Sequence, residues 1–288
     1  MHVLDDVRNY VDLTKPRLLP MVVFTALPVL GMAAGGWPPF SFACLILTGI
    51  VLAAAAANTL NAYVERDTDA RMERTRERPL PSGRLSPGAA LTCGLLLALL
   101  ATALLGWVGG RAAAGLTVAS ILFYVFVYTI WLKPRTAWNT VVGSAAGAVA
   151  PLIADAAVNG SVGAPGLMLF AIVFVWQPPH VWAIALYRKS DYRAAGVEML
   201  PAAIGDPAAR RWMLAFTLGL VPVTLLPWHQ GLLGELYLAV ALAMNACFVG
   251  SALRVLRLRS DDAARQMFRV SLAYLFALFL AMLVDLVL

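Results

Sequence analysis

Apolar runs recur along the whole chain, and the polar residues lie mostly between them. Runs long enough to cross about 30 Å of hydrocarbon fall near residues 18–36, 41–63, 89–108, 112–132, 138–157, 166–187, 210–230, 235–256 and 268–287. Short turns separate several of them. Gly35-Gly36-Trp37-Pro38-Pro39 and Trp228-His229-Gln230-Gly231 are two, each with a tryptophan where an interface would lie. This pattern predicts an all-α, polytopic membrane protein with nine transmembrane helices in a single membrane domain, residues 1–288. Residues 1–17 read as an interfacial leader helix that ends at the break Lys15-Pro16-Arg17. Two longer polar loops, 58–87 and 188–209, interrupt the apolar series.

Composition agrees with the pattern. The chain is 61% hydrophobic and 13% charged, where a soluble domain carries about 25% charge. Cys44, Cys93 and Cys247 all sit in apolar runs without mutual spacing, so they read as packing residues and not as a disulfide frame or metal site. No cleavable signal peptide is expected, because Asp5, Asp6 and Asp12 precede the first apolar run where a basic segment would be needed. The net charge of +6 does not imply nucleic acid; its distribution explains it. With nine spans and the N-terminus inside, all 22 lysines and arginines except Arg111 fall on the cytoplasmic side, as the positive-inside rule requires. Both polar loops then share that side. The absence of an Arg/Ser-rich, acid-poor leader favours a bacterial inner membrane over an organelle.

The loop 58–87 concentrates charge at the end of an apolar run. It carries Glu65, Asp67, Asp69, Glu73 and Glu77 together with Arg66, Arg71, Arg74, Arg76, Arg78 and Arg84. Asn61, Glu65 and Asp69 are four residues apart, so on a helix they drift by only about 80° in total and share one face. A carboxamide and two carboxylates at a membrane surface suit a hard cation such as Mg²⁺, which is commonly held by one or two carboxylates plus substrate phosphate oxygens. The arginines behind them suit the phosphates. The competing reading is a solvated loop rich in salt bridges.

A second polar site ends the sixth apolar run. His180 lies inside the run, after Pro178-Pro179, where an ionisable group is a functional candidate; the plain alternative is a histidine bonded to a neighbouring helix. Arg188, Lys189 and Asp191 close the segment. Between the two sites, Lys133 and Arg135 add cations on the same side, and Gly143, Ala145, Ala146, Gly147 and Ala148 allow close helix approach. Asn139 is expected to face inward, and Asp155 and Asp285 to lie at the outer interface.

These residues carry a resemblance. Asn61-x₃-Glu65-x₃-Asp69, the run from Arg74 to Gly83 (RTRERPLPSG) and the second polar site resemble the UbiA superfamily of intramembrane prenyltransferases. The segments YTIWLKPRTAWNTVVGSAAGA and WQPPHVWAIALYRKSDYRAAG resemble its haem-farnesylating branch. The resemblance implies a helical bundle around a cavity open to the cytoplasm. It implies transfer of the farnesyl group of farnesyl diphosphate to a vinyl group of haem B, giving haem O and pyrophosphate, with Mg²⁺ as cofactor. Position by position, Asn61, Glu65, Asp69 and Asp191 match catalytic metal–diphosphate residues. Arg74, Arg78, Lys133, Lys189, Lys15 and Arg17 are the candidate diphosphate contacts, and His180 is the candidate haem contact. Membrane lipid surrounds such an enzyme, and haem A synthase or terminal-oxidase assembly proteins are the implied partners. Two positions depart from the family pattern: Glu65 stands where Asp is usual, and Tyr187 stands where the second site would have its first acid. Rival readings are a UbiA-type enzyme for an aromatic or quinone precursor, an ion transporter, and a non-catalytic haem carrier. The charges cluster at one face and not at the midplane, which speaks against transport.

Overall fold

The computed structural model describes the chain except Met1, Arg74, Ala195 and Val197, and except the side chains of residues 2–6 and Ala194. Among the described residues every regular element is helical. A membrane imposes this choice, since hydrocarbon offers no partner to an unpaired backbone group and a helix satisfies its own.

The leader α1 (His2–Leu13) ends before Lys15, which adopts a left-handed conformation with φ 55°. Leu13 is buried beside Ala62, Leu80, Leu85 and Ala90, so the leader docks on the first polar loop. Asn58 reinforces this by donating to the carbonyl of Thr14 at 3.0 Å. Helix α2 (Leu19–Ala34) is followed by α3 (Phe40–Asp69), whose 30 residues make a rod about 45 Å long at 1.5 Å per residue. That exceeds the hydrocarbon thickness, so the final turns, which carry Asn61, Glu65 and Asp69, project from the apolar part of the same helix.

Helix α4 (Pro87–Leu122) continues into a π-helix over Phe123–Leu132. It is a hairpin and not one rod. Gly110 has φ 79° and ψ −177°, outside any helix. A Cβ on Gly106 would lie 3.4 Å from the Cβ of Ala114, whereas eight residues of straight helix separate two atoms by about 12 Å. The chain therefore turns back at Gly110, and the two arms run antiparallel. The turn is crowded as well, since a Cβ on Gly109 would meet that of Ala157 at 2.7 Å.

Helices α5 (Asn139–Gly147) and α6 (Ala150–Asn159) cross together as a broken span, with Pro151 in the first turn of α6. Then come α7 (Ala164–Tyr187), the short α8 (Lys189–Ala194) and α9 (Leu200–Ile204), and the long α10 (Asp206–His229), α11 (Glu235–Leu258) and α12 (Asp261–Asp285). Seven helical stretches among the described residues have the length and apolarity to cross a membrane, against nine expected. The difference has two sources. The stretch Pro87–Leu132 counts once although it is the hairpin, and α2, at 16 residues, is short.

Helix α2 packs against α3, α6, α7 and α12, which closes the bundle. The core runs through Leu30, Ile153, Leu169, Trp182, Tyr237 and Phe279, all fully buried. The outside is also apolar. Leu95, Leu96, Leu99, Leu100 and Trp107 stand exposed along the outer arm of the hairpin, a surface that only lipid covers without cost. The small residues behave as read from the sequence. A Cβ on Gly143 would lie 2.4 Å from the ring of Tyr128, and one on Gly147 would lie 2.5 Å from Gln177.

Asp155 is fully buried. It accepts hydrogen bonds from the backbone N–H of Gly163 at 2.7 Å and of Gly166 at 3.0 Å, and from Asn159 Nδ2 at 2.8 Å. Those backbone donors are the ones a helix start leaves unmatched, and a carboxylate there also complements the helix dipole. Asp285 does the same at the start of α11, accepting from the N–H of Gly234 and of Tyr237. Asp155→Ala should lower stability by about 3 kcal/mol, because unmatched buried donors cost about 1–3 kcal/mol each. Asp155→Asn should fall between it and the parent. Thermal melting in detergent checks this, and equal midpoints for all three proteins would remove the capping role.

Candidate functional site

The polar end of α3 meets the π-helix as a ladder. Asn61 Nδ2 donates to Thr129 Oγ1 at 3.1 Å, and one turn further Lys133 forms an ion pair with Glu65. The π-helical register makes this match. Lys133 N bonds to the carbonyl of Tyr128 at 2.9 Å, five residues back, and Thr129 Oγ1 donates to the carbonyl of Tyr124 at 2.8 Å. Widened turns of this kind often mark functional positions.

Each of the three oxygen-bearing residues on α3 is held by a cation. Lys15 Nζ donates to Asn61 Oδ1 at 2.6 Å, Lys133 pairs with Glu65, and Arg78 Nη1 pairs with Asp69 Oδ2 at 2.7 Å. Asn61 and Asp69 are buried and Glu65 is half-buried. Asp69 is further fixed through its main chain, whose carbonyl accepts from the buried Thr75 hydroxyl at 2.7 Å. Burial, and then repulsion from Arg78 and Lys133, pulls the Lys15 ammonium down to about 8, against the attraction of Glu65 and Asp69. Burial also acts to lower Lys133, but the Glu65 carboxylate outweighs it and holds that ammonium above its usual value. The cluster thus contains three cationic side chains and two carboxylates.

The other arginines and Arg17 are placed differently. Arg66 donates to the carbonyl of Tyr63 at 2.9 Å, Arg84 to that of Glu77, and Arg135 to those of Ile130 and Trp131. These bonds satisfy loop and helix-end carbonyls, a structural task. Arg17 is exposed and makes no ion pair among the described residues. Arg74 lies outside the described residues.

In the second polar loop, Asp191 on α8 pairs with Arg188 at 3.2 Å. Lys189 turns away from it to Asp206, the first residue of α10, which also accepts from the buried Arg210 at 3.3 Å. Sequence reasoning missed Asp206 and Arg210; the one available signal was Gly205-Asp206-Pro207, a helix-start pattern. A cavity of about 520 Å³ lies beside them, lined in part by Lys189, Tyr192, Arg193, Glu198 and Asp206. Asp191 is engaged within its own loop, and none of its bonds reaches the α3 cluster among the described residues. Tyr187, which replaces the expected acid, lies under Arg265, with the guanidinium carbon 5.5 Å from its ring centre.

His180 sits between α7 and α12. Its ring stacks on Trp176 at 4.4 Å and lies 4.9 Å from Phe268, and Nδ1 is 2.7 Å from Ser271 Oγ. Neither Thr129 nor Ser271 carried a sequence signal, because each lies within an apolar run.

The family model for UbiA prenyltransferases matches residues 22–283. The chain belongs to the UbiA prenyltransferase family. It is 45% identical over 286 residues to protoheme IX farnesyltransferase of Acidiphilium cryptum, covering 96% of this chain and 90% of that one. The protein of the same description from Symbiobacterium thermophilum is 42% identical over 281 residues, covering 97% and 94%. Among solved structures, a UbiA homologue from Archaeoglobus fulgidus bound to DMAPP and Mg²⁺ shares the fold, with TM-score 0.66, 17% identity, and 96% and 99% of the two chains covered.

The oxygen donors of Asn61, Glu65 and Asp69 on α3 are of the chemical kind that a hard divalent ion takes. Among the described residues no three His, Cys, Asp or Glu side chains gather into a complete metal cage. Two carboxylates and a carboxamide are what Mg²⁺ needs when phosphate oxygens supply the rest.

The pairing of Glu65 with Lys133 is itself testable. Lys133→Met leaves a half-buried carboxylate without its partner, which should cost about 3–5 kcal/mol. The double variant Glu65→Leu/Lys133→Met should recover most of that loss. Melting midpoints of the four proteins of this cycle decide it, and independent, additive losses would show that the two side chains do not act together.

Proposed function

We propose that this chain joins the farnesyl group of farnesyl diphosphate to the terminal carbon of a vinyl group of haem B, releasing pyrophosphate, while water adds to the other vinyl carbon with loss of a proton to give the hydroxyethylfarnesyl side chain of haem O. The observation that carries the reading is the ladder of Asn61, Glu65 and Asp69, each oxygen held by a cation, at the polar end of an apolar helix in a UbiA fold. Its support is the family membership and the 45% identity to a protoheme IX farnesyltransferase across nearly the whole chain.

Asn61, Glu65 and Asp69 would hold Mg²⁺, with Asp191 as the acid from the second loop. Bound there, the ion supplies charge stabilisation for the departing pyrophosphate. Lys15, Lys133 and Arg78 bind the diphosphate by moving from their carboxylate or carboxamide partners to phosphate oxygens. Such cations, aimed where negative charge develops, lower the barrier to carbon–oxygen cleavage. Arg74, Lys189 and Arg17 are proposed as further diphosphate contacts. The isoprenoid tail lies among apolar helices, where lipid delivers it without desolvation cost. His180, inside the apolar layer, is the contact for the haem acceptor.

The polar end of the bundle faces the cytoplasm of a bacterial cell in this reading, as the distribution of lysine and arginine requires. The product would pass to haem A synthase or to a terminal-oxidase assembly protein. A UbiA enzyme acting on an aromatic acid would not need the histidine-bearing segment WQPPH.

The test is the purified protein in lipid nanodiscs with farnesyl diphosphate and Mg²⁺, and either haem B or 4-hydroxybenzoate. Pigment chromatography should show haem O from the first and no prenylated product from the second. Asp69→Asn and Asp191→Asn should each lower kcat/KM at least about 100-fold, the scale seen when one electrostatic stabiliser is removed. Undiminished turnover in either variant would refute the metal–diphosphate assignment.

A further inference from the structure

The protonation pattern of His180 is fixed by its neighbours. Ser271 Oγ lies 2.7 Å from the carbonyl oxygen of Phe268 and 2.7 Å from His180 Nδ1. A carbonyl oxygen only accepts and a hydroxyl has one proton, so that proton goes to Phe268. The contact with His180 is then Nδ1–H donating to Ser271 Oγ. In a neutral imidazole this leaves Nε2 with a free lone pair.

The ring is also held in place. Trp176 stacks on it with 23° between the planes, and Trp176 is itself anchored by donating from Nε1 to the carbonyl of Ser271 at 2.9 Å. Phe268 covers the ring at 4.9 Å. Nε2 has no hydrogen-bond partner among the described residues, and it is not one of the buried side-chain atoms left without one. Nε2 therefore keeps a lone pair that no described side chain occupies, on an atom that is not fully enclosed. A histidine that served only to pack two helices would bond through both nitrogens or bury the free one. An imidazole anchored through Nδ1–H with Nε2 open is instead the arrangement of a metal-ligating histidine, in which the outer hydrogen bond sets tautomer and direction.

We propose that His180 Nε2 is an axial ligand to the iron of the haem acceptor, and that Ser271 is a positioning residue that fixes the tautomer needed for ligation. This rests on the haem-acceptor reading above. Iron ligation would seat the macrocycle against α7 and α12 through its centre and leave the vinyl groups at its edge free to meet the prenyl carbon. Ser271 touches neither substrate. Its hydroxyl acts through the imidazole alone.

The test titrates the full-length protein in nanodiscs with ferric haem B, without farnesyl diphosphate, and reads the Soret band and the ferrous carbonyl spectrum. The parent should show histidine-ligated iron. His180→Gly should lose that signature, and added imidazole should restore it, which a misfolded protein could not do. Ser271→Ala should bind haem about 10–100-fold more weakly, the usual cost of losing a hydrogen bond behind a metal ligand, and Ser271→Thr, which keeps the hydroxyl, should recover the affinity. An unchanged iron spectrum in His180→Gly, or unchanged haem affinity in Ser271→Ala, overturns the inference. Haem O formation by the parent is measured in parallel. If it proceeds while the histidine signature is absent, ligation is wrong and the prenyl-transfer reading stands; if the signature is present and no haem O forms, the ligation stands and the prenyl-transfer reading falls.

Discussion

Carboxylates at the end of an apolar helix have to be neutralised, and the way this protein does so organises the rest of the bundle. Glu65 and Asp69 sit half-buried and buried on the last turns of α3, where an uncompensated charge costs several kcal/mol. Their partners come from separate parts of the chain. Lys133 arrives from the π-helix, Arg78 from the loop after α3, and Lys15, on the neighbouring Asn61, from the leader. Each arrival constrains a segment that would otherwise be free. The leader docks, the polar loop folds back over Asp69, and the second arm of the hairpin stops where its widened turn puts Lys133 opposite Glu65.

The same cluster explains why so many of the arginines in the first loop do not join it. Arg66 and Arg84 hold backbone carbonyls of that loop, as Arg135 does at the end of the π-helix, so the loop has a stable shape before any substrate arrives. Preorganisation of this kind means that ordering costs are met on folding and not at the moment of reaction. The two ends of the molecule follow one rule in this respect. At the polar end cations answer carbonyls and carboxylates. At the other, Asp155 and Asp285 answer the free N–H groups of α7 and α11.

Much of this was legible in the sequence, and the part that was not has physical reasons. The four-residue spacing of Asn61, Glu65 and Asp69 put them on one face before any coordinates, because helical periodicity is local. The placement of the spans was legible for the same reason. The hairpin was legible too, in the break between the apolar runs 89–108 and 112–132, where Gly110 takes a positive φ that glycine permits. The π-helical register could not be read at all, since it depends on a match between Thr129 and Lys133 and a distant helix. The capping role of Asp155 was silent because a lone acid near a helix end looks the same whether it faces water or caps a neighbour. Ser271 was silent, because only the hydrogen bond to His180 gives it meaning.

The charge count of the cluster bears on how it meets substrate. Lys15, Lys133 and Arg78 outnumber Glu65 and Asp69 by one, and the ammonium of Lys15 is pulled down by burial and by the other two cations, so the site is strained toward excess positive charge. A diphosphate carries more negative charge than a single Mg²⁺ cancels, and the surplus cation answers the remainder. The carboxylates then serve two states. Glu65 and Asp69 pair with Lys133 and Arg78 while Asn61 holds Lys15; in the proposed reaction the cations would move to phosphate oxygens and the carboxylates would be free to hold Mg²⁺. That exchange trades one set of charge-assisted bonds for another of similar strength, so binding need not create buried charge at any stage. Glu65 in place of the shorter acid usual in the family is compatible with this double duty, because its longer side chain reaches Lys133 across the interface between α3 and the π-helix. The charge of the cluster is thus suited to the proposed diphosphate, an anion of high charge, at the polar end of a helix whose other end is apolar.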